Sequence, residues 1–331
     1  MQPSIEKGRA ARAGPEPDGE NRVAAKRGAE APKAGGLSRR GFLWGVLGAG
    51  AAGAVACAPQ RAPGALELES AADRYDAFLR MRCAGAQHPE AQAVWWWTGD
   101  VHAFRHGARG QRLFGMECFS VSRALPVEGG HDLLHREFGL YLDAESRAPL
   151  SRWRNPLNGR EVEVLLLAND PVNGRMRRSG PRAFDVSFTR SGAEVWANLD
   201  ILLRYPSPLP RAQYPLNSQS DTYEAAELFQ FHARRDDLAA PGLPSAPCEV
   251  YWTRVGPWLP WMEMADRPGQ LIYHCRGRKL PNVAALPAGL RRAAEDGYAQ
   301  FLSAPESFEA PNETSWTKFK KWEDARRARA S

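Results

Sequence analysis

Val250-Tyr251-Trp252-Thr253-Arg254-Val255 reads as a β-strand, and Leu271-Ile272-Tyr273-His274-Cys275 reads as a second. Between them runs Gly256-Pro257-Trp258-Leu259-Pro260-Trp261-Met262-Glu263-Met264, closed by Asp266-Arg267-Pro268-Gly269. The three prolines stiffen this loop and remove backbone donors. Its tryptophans and methionines cannot all face water cheaply, since burying one large aromatic removes about 150–250 Å² from solvent. Two readings follow. The loop is either a plug that seals one end of a β-structure, or a wall of an apolar pocket. In the second case Trp252, Trp258, Trp261 and Tyr273 are the residues that touch a ligand.

Outward from this stretch the period of two continues. Segments 94–104, 113–121, 133–142, 162–168, 184–188, 195–203 and 223–231 also read as strands. Turn signals separate them: Gly107-Ala108-Arg109-Gly110, Glu128-Gly129-Gly130, Asn155-Pro156-Leu157-Asn158-Gly159 and Ser191-Gly192. About nine strands with mostly short links favour antiparallel neighbours, because parallel strands need long crossovers. The expected fold is mainly β (α+β). It is an antiparallel β-barrel or a strongly curled sheet with a few flanking helices. A helix is expected at 71–82 with Ser70 as its N-cap. Another is expected at 287–302, with Leu290, Ala294, Tyr298 and Phe301 on one face. A charged segment, 318–329, ends the chain.

The N-terminal part has a different character. Residues 1–37 lack apolar periodicity and are expected to be disordered. Ser38-Arg39-Arg40-Gly41-Phe42-Leu43 resembles the twin-arginine export motif, and a Gly/Ala-rich apolar stretch follows it to Ala56. That stretch is too short for a membrane span, which takes about 20 apolar residues. Ala54-Val55-Ala56-Cys57 offers a cut after Ala56 and a candidate lipidation site at Cys57. The organisation read here is an n-region at 1–37, a signal peptide at 38–56, a linker at 57–66 and one β-rich domain at 67–331. The expected location is the periplasm or cell envelope, anchored to the membrane if Cys57 carries lipid. The expected partners are the twin-arginine export machinery and a small-molecule ligand. Of 44 basic and 38 acidic residues, nine and five fall in 1–56, which leaves 35 and 33 for the rest. A domain that close to neutral has no nucleic-acid footprint. Cys83, Cys118, Cys248 and Cys275 show no C-x-x-C spacing and read as buried thiols.

Polar residues on apolar faces carry the candidate chemistry. In 223–231, Glu227 shares a face with Tyr223, Ala225, Phe229 and Phe231. Arg254 shares one with Trp252, and His274 one with Ile272 and Arg276. In 133–141, Leu133, His135, Glu137 and Tyr141 share a face. If one inner face collects Glu227, Arg254 and His274, it holds an acid, a cation and a tunable base. Arg254 would hold an anionic or carbonyl oxygen while Glu227 and His274 exchange protons. The competing reading is that such groups pair as buried salt links. Within 67–331 no G-x-S-x-G, G-x-G-x-x-G or G-x-x-x-x-G-K-[ST] motif is present. The pairs His102/His106 and His131/His135 lie in strands, where a separation of four residues spans about 13 Å, too far for one ion. No metal site is assigned, and the cofactor is left open. The favoured function is an exported enzyme acting on a small apolar molecule by acid/base chemistry. The alternatives are a non-catalytic small-molecule-binding envelope protein and a structural lipoprotein with a filled barrel.

Three stretches carry a resemblance. They are Tyr205-Pro206-Ser207-Pro208-Leu209-Pro210-Arg211 with its continuation to Phe231, the segment from Trp252 to Gly277, and Pro311-Asn312-Glu313-Thr314-Ser315-Trp316-Thr317-Lys318-Phe319-Lys320-Lys321. Together with Asn155-Pro156-Leu157-Asn158-Gly159 and Asn169-Asp170-Pro171-Val172-Asn173 they resemble domain-of-unknown-function family 1838. The resemblance runs from about residue 75 to about 322 and implies one domain. It implies no activity and supplies no catalytic residues.

Overall fold

A computed structural model of the chain describes residues 68–84, 88, 90–180, 183–240 and 244–330. The export motif, Cys57 and the segments 1–37, 38–56 and 57–66 lie outside the described residues. Those described belong to one compact unit, Pro59–Ser331.

Helix α1 (Ala71–Arg82) opens as its sequence predicts, with the Ser70 hydroxyl accepting from the Asp73 N–H at 3.0 Å. The strands follow: β1 (Ala93–Phe104), β2 (Gln111–Val127), β3 (Gly130–Leu142), β4 (Arg152–Arg154), β5 (Glu161–Glu163), β6 (Leu167–Asn169), β7 (Gly174–Arg177), β8 (Ser187–Ser191), β9 (Glu194–Pro206) and β10 (Thr222–Arg234). After the short helix α2 (Arg235–Ala239) come β11 (Glu249–Gly256) and β12 (Gln270–Leu280), then α3 (Ala288–Glu295) and α4 (Ser315–Ala330).

Ten strands form one sheet in the order β6-β3-β2-β1-β12-β11-β10-β9-β8, with β7 also pairing β3. Every pairing in it is antiparallel. A two-residue link, Glu128-Gly129, joins β2 to β3, and Gly129 takes φ 71° there. That conformation costs glycine little and other residues much. β4 and β5 make a separate hairpin.

Alternation gives the sheet an inner face, bearing Trp95, Trp97, Tyr273, Arg254 and Glu227, and an outer face. Trp95 on β1 and Phe231 on β10 sit three strands apart, about 14 Å on a flat sheet. Their rings nevertheless meet at 5.5 Å on the inner side, so the sheet bends toward that face. It stays open, because among the described residues β8 at one end does not pair with β6 or β7 at the other. The barrel alternative is therefore not met.

Three apolar cores hold the fold. At one end of the inner face α1 packs Phe78 against Phe231 and Phe184. At the other end the 257–269 loop buries Trp258, Leu259, Trp261 and Met262 against Phe114, Tyr141 and Tyr273. On the outer face α3 and a following 3-10 turn lay Leu290, Ala294 and Phe301 over Phe119 and Phe138. The 287–302 helix is shorter than expected because the chain turns at Gly297, φ 101°, and resumes as the turn Ala299–Leu302. Segment 162–168, read as one strand, splits because its residues serve two cores. Val162 and Val164 join the plug end, while Ala168 joins the outer core. Segment 318–329 turns out to be most of a helix, α4, anchored by Trp316 and Phe319. No helix among the described residues is long and apolar enough to cross a membrane.

Candidate active site on the inner face

Glu227 and Arg254 are direct cross-strand partners on β10 and β11. Arg254 Nε donates to Glu227 Oε1 at 3.2 Å, and Trp252 Nε1 donates to Oε2 at 3.0 Å. Arg254 Nη2 donates to the Tyr223 hydroxyl at 2.7 Å. The guanidinium lies over the rings of Tyr273, at 5.0 Å, and Trp316, at 5.3 Å. It fits there because Gly256 has no Cβ, which would stand 2.9–3.1 Å from the guanidinium atoms. Arg254 is thus buried under α4 and cannot reach a ligand in the open. Burial alone would lower its pKa. The neighbouring tyrosines and Glu227 reverse that and hold its pKa above the ordinary arginine value.

A second acidic centre lies on the same face of the sheet. On β3, His135 Nε2 lies 3.5 Å from Glu137 Oε1, and Asn169 Nδ2 donates to Glu137 Oε2 at 2.9 Å. Glu137 and Glu227 are five strand steps apart along the sheet, about 24 Å if it were flat. The charge of Glu137 nevertheless adds to the rise in the pKa of Glu227. Burial is the larger cause of that rise, and Arg254 and Trp252 oppose it. Glu137 goes the other way. Burial works to raise it, but the hydrogen bonds from His135 and Asn169 and the charge of Arg82 outweigh burial and hold it below the usual carboxylate value. His135 is lowered, chiefly by burial. The two carboxylates remain partly open, with 20% of the Glu227 side chain and 24% of the Glu137 side chain exposed.

Between the two inner cores a strip of side chains packs against both. Trp97, Leu199, Leu203 and Phe229 stay only half-buried there. Trp97 Nε1, Ser120 Oγ, His135 Nδ1 and Arg254 Nη1, all on this face, are buried without a hydrogen-bond partner among the described residues. Unpaired buried polar atoms are costly and uncommon.

His274 does not join this site. It pairs with Thr253 across β11 and with Asp100 across β1, while its neighbour Tyr273 pairs with Arg254. Adjacent residues on a strand point to opposite faces, so His274 lies on the outer face. There it is exposed and lines a shallow hollow with His102 and Ile272. The convergence of all three expected residues is corrected to a convergence of Glu227 and Arg254. Trp258 and Trp261 are 2% and 4% exposed. They pack as a plug, with Trp258 Nε1 donating to the Arg267 carbonyl at 3.0 Å, so the pocket-wall reading of the loop is not what the geometry gives. Trp252 and Tyr273 do belong to the site, as supports of Glu227 and Arg254.

Residues 90–323 match the family model described as Protein of unknown function (DUF1838). The chain belongs to that family. The DUF1838 match holds Glu137, Glu227, Arg254 and Trp316 and leaves α1 outside it. No curated protein matches the chain.

Glu137 and His135 were visible in the sequence as polar residues alternating with apolar ones on β3. That they share a face with Glu227 was not, because it depends on the register of five strand pairings. Cys83, Cys118, Cys248 and Cys275 are free and buried. Burial pushes Cys275 and Cys248 up to about 12, which leaves them as unreactive thiols. Among the described residues no group of three or more His, Cys, Asp or Glu is arranged to hold a metal.

Proposed function

We propose that the chain is an exported protein that performs proton-transfer chemistry on a small, largely apolar molecule bound on the inner face. The observation that most supports this is the pair of partly open carboxylates on an aromatic face, one with its pKa raised and the other lowered. Environments that push two titratable groups apart divide the roles of acid and base between them. Glu227, the more basic of the two carboxylates, is the group that takes up a proton and returns it, and Glu137 stays ionised. Trp97 and Phe229 hold the apolar body of the molecule. Arg254, Trp252 and Tyr273 position Glu227 rather than touch the substrate. A binder without turnover is the second reading. It is favoured by the engagement of both Glu227 oxygens with Trp252 and Arg254.

Native mass spectrometry of the chain purified from its own envelope tests occupancy. A small molecule that stays bound to wild type and is lost from Trp97→Ala supports the site. The bare chain mass in wild type speaks against it. Export rests on the motif at 38–43. Arg39→Lys with Arg40→Lys should strand the chain in the cytoplasm, and Cys57→Ser should release a membrane-held form.

A further inference from the structure

The second edge of β9 is only partly used. β8 covers β9 from Glu194 to Asn198. From 199 to 206 β9 pairs with β10 alone, and no described strand lies on its other side. An open edge presents a row of unpaired N–H and C=O groups, which folded proteins usually blunt with charge, proline or a covering element. Here the edge reads Asp200-Ile201-Leu202-Leu203-Arg204. Leu202 is 75% exposed, and Ile201 is exposed too.

The order of these residues is self-complementary. We propose that β9 is an interface on which two copies of this chain pair antiparallel, with Leu202 on the two-fold axis. In that register Asp200 falls opposite Arg204 of the second copy, and Ile201 falls opposite Leu203. The pattern repeats by symmetry on the other side of the axis. Opposite charges directly across an antiparallel pair are favourable and like charges are not, and an isologous contact uses each such pair twice. Arg204 is free to turn toward the second copy. Its present partner is Glu224 at 3.0 Å, with 76% and 62% of the two side chains exposed, and exposed pairs of that kind are weak.

The outer face extends the same surface. Leu202 pairs with Ala226, Ala226 with Val255, and Val255 with Ile272, so one apolar row crosses four strands and ends at the open edge. Pairing at Leu202 joins two such rows into one. A partner strand of unrelated sequence would match the backbone but not the charges on both sides of Leu202.

Analytical ultracentrifugation of the full chain tests this. Wild type should be a dimer. Asp200→Arg should weaken it about tenfold or more, since it sets like charges across both symmetric positions. Arg204→Asp should do the same, and the double charge swap Asp200→Arg with Arg204→Asp should restore the dimer. Thermal melts on each variant separate loss of pairing from loss of fold. Leu202→Cys should cross-link under mild oxidation, because residues facing each other across an antiparallel pair have Cα atoms about 4.5–5.5 Å apart, within disulfide range. A monomeric wild type, or a dimer that ignores the charge reversals and fails to cross-link at Leu202→Cys, overturns the proposal.

Discussion

Replacing Glu227 with Gln removes the counterion of a guanidinium that has almost no contact with water. Breaking a buried pair from one side costs about 3–5 kcal/mol, whereas replacing both partners with apolar residues is often neutral. Urea unfolding of Glu227→Gln should therefore show a loss of about 3 kcal/mol. Glu227→Leu with Arg254→Met should recover most of it. Equal losses in the single and double variants would mean that the two residues are not coupled. At this scale the sequence was half legible. Strand alternation put Glu227 beside Phe229 and Arg254 beside Trp252, and both assignments hold. It also grouped His274 with Ile272 and Arg276 correctly, but parity within one strand does not say which face is inner. That depends on the register Arg254–Tyr273, which sits in a pairing between strands.

The elements around the site divide into those with a strong local signal and those recruited by packing. α1 announced itself by its cap and spacing, and the long strands by their period. β4 and β7 each carry a single apolar side chain, Trp153 and Met176, too little for a pattern. In the sequence α4 reads only as a charged terminal segment, 318–329, because its last turns are charged. Its function is at its start, where Trp316 lies edge-on to Tyr223 at 4.9 Å and covers Arg254. Trp316→Ala should cost about 3–5 kcal/mol in chemical denaturation, the usual range for a buried aromatic. A loss under about 1 kcal/mol would mean that α4 does not seal the site.

The fold of the whole molecule makes its stability depend on pH in a definable direction. His135 and His131 both have pKa values lowered, chiefly by burial. A histidine kept neutral in the folded state contributes its full stability above its ordinary value of 6.5. It loses that contribution as pH falls from there through the folded value. Glu137, lowered as well, adds a loss as pH falls below its ordinary 4.5. Glu227, raised, works in the opposite sense and favours the fold below 4.5. Melting temperature should therefore fall as pH drops from 6.5 toward 5, and His135→Gln should flatten part of that fall. A profile unchanged in His135→Gln would mean that His135 is not buried as described. The number of strands and the short links led to a barrel or a strongly curled sheet and did not decide between closed and open ends. Closure depends on whether the terminal strands β6 and β8 reach one another, and both are short. The central claim is that Glu137 and Glu227 share the inner face and titrate on opposite sides of the ordinary carboxylate value, with the charge of Glu137 felt at Glu227. Its most direct test is a carbon-detected NMR titration of the two side-chain carboxyls in wild type and in Glu137→Gln. The account predicts Glu227 above the ordinary 4.5, Glu137 below it, and a downward move of Glu227 once the Glu137 charge is gone. Two carboxyls titrating at ordinary values, with Glu227 indifferent to Glu137→Gln, would contradict it.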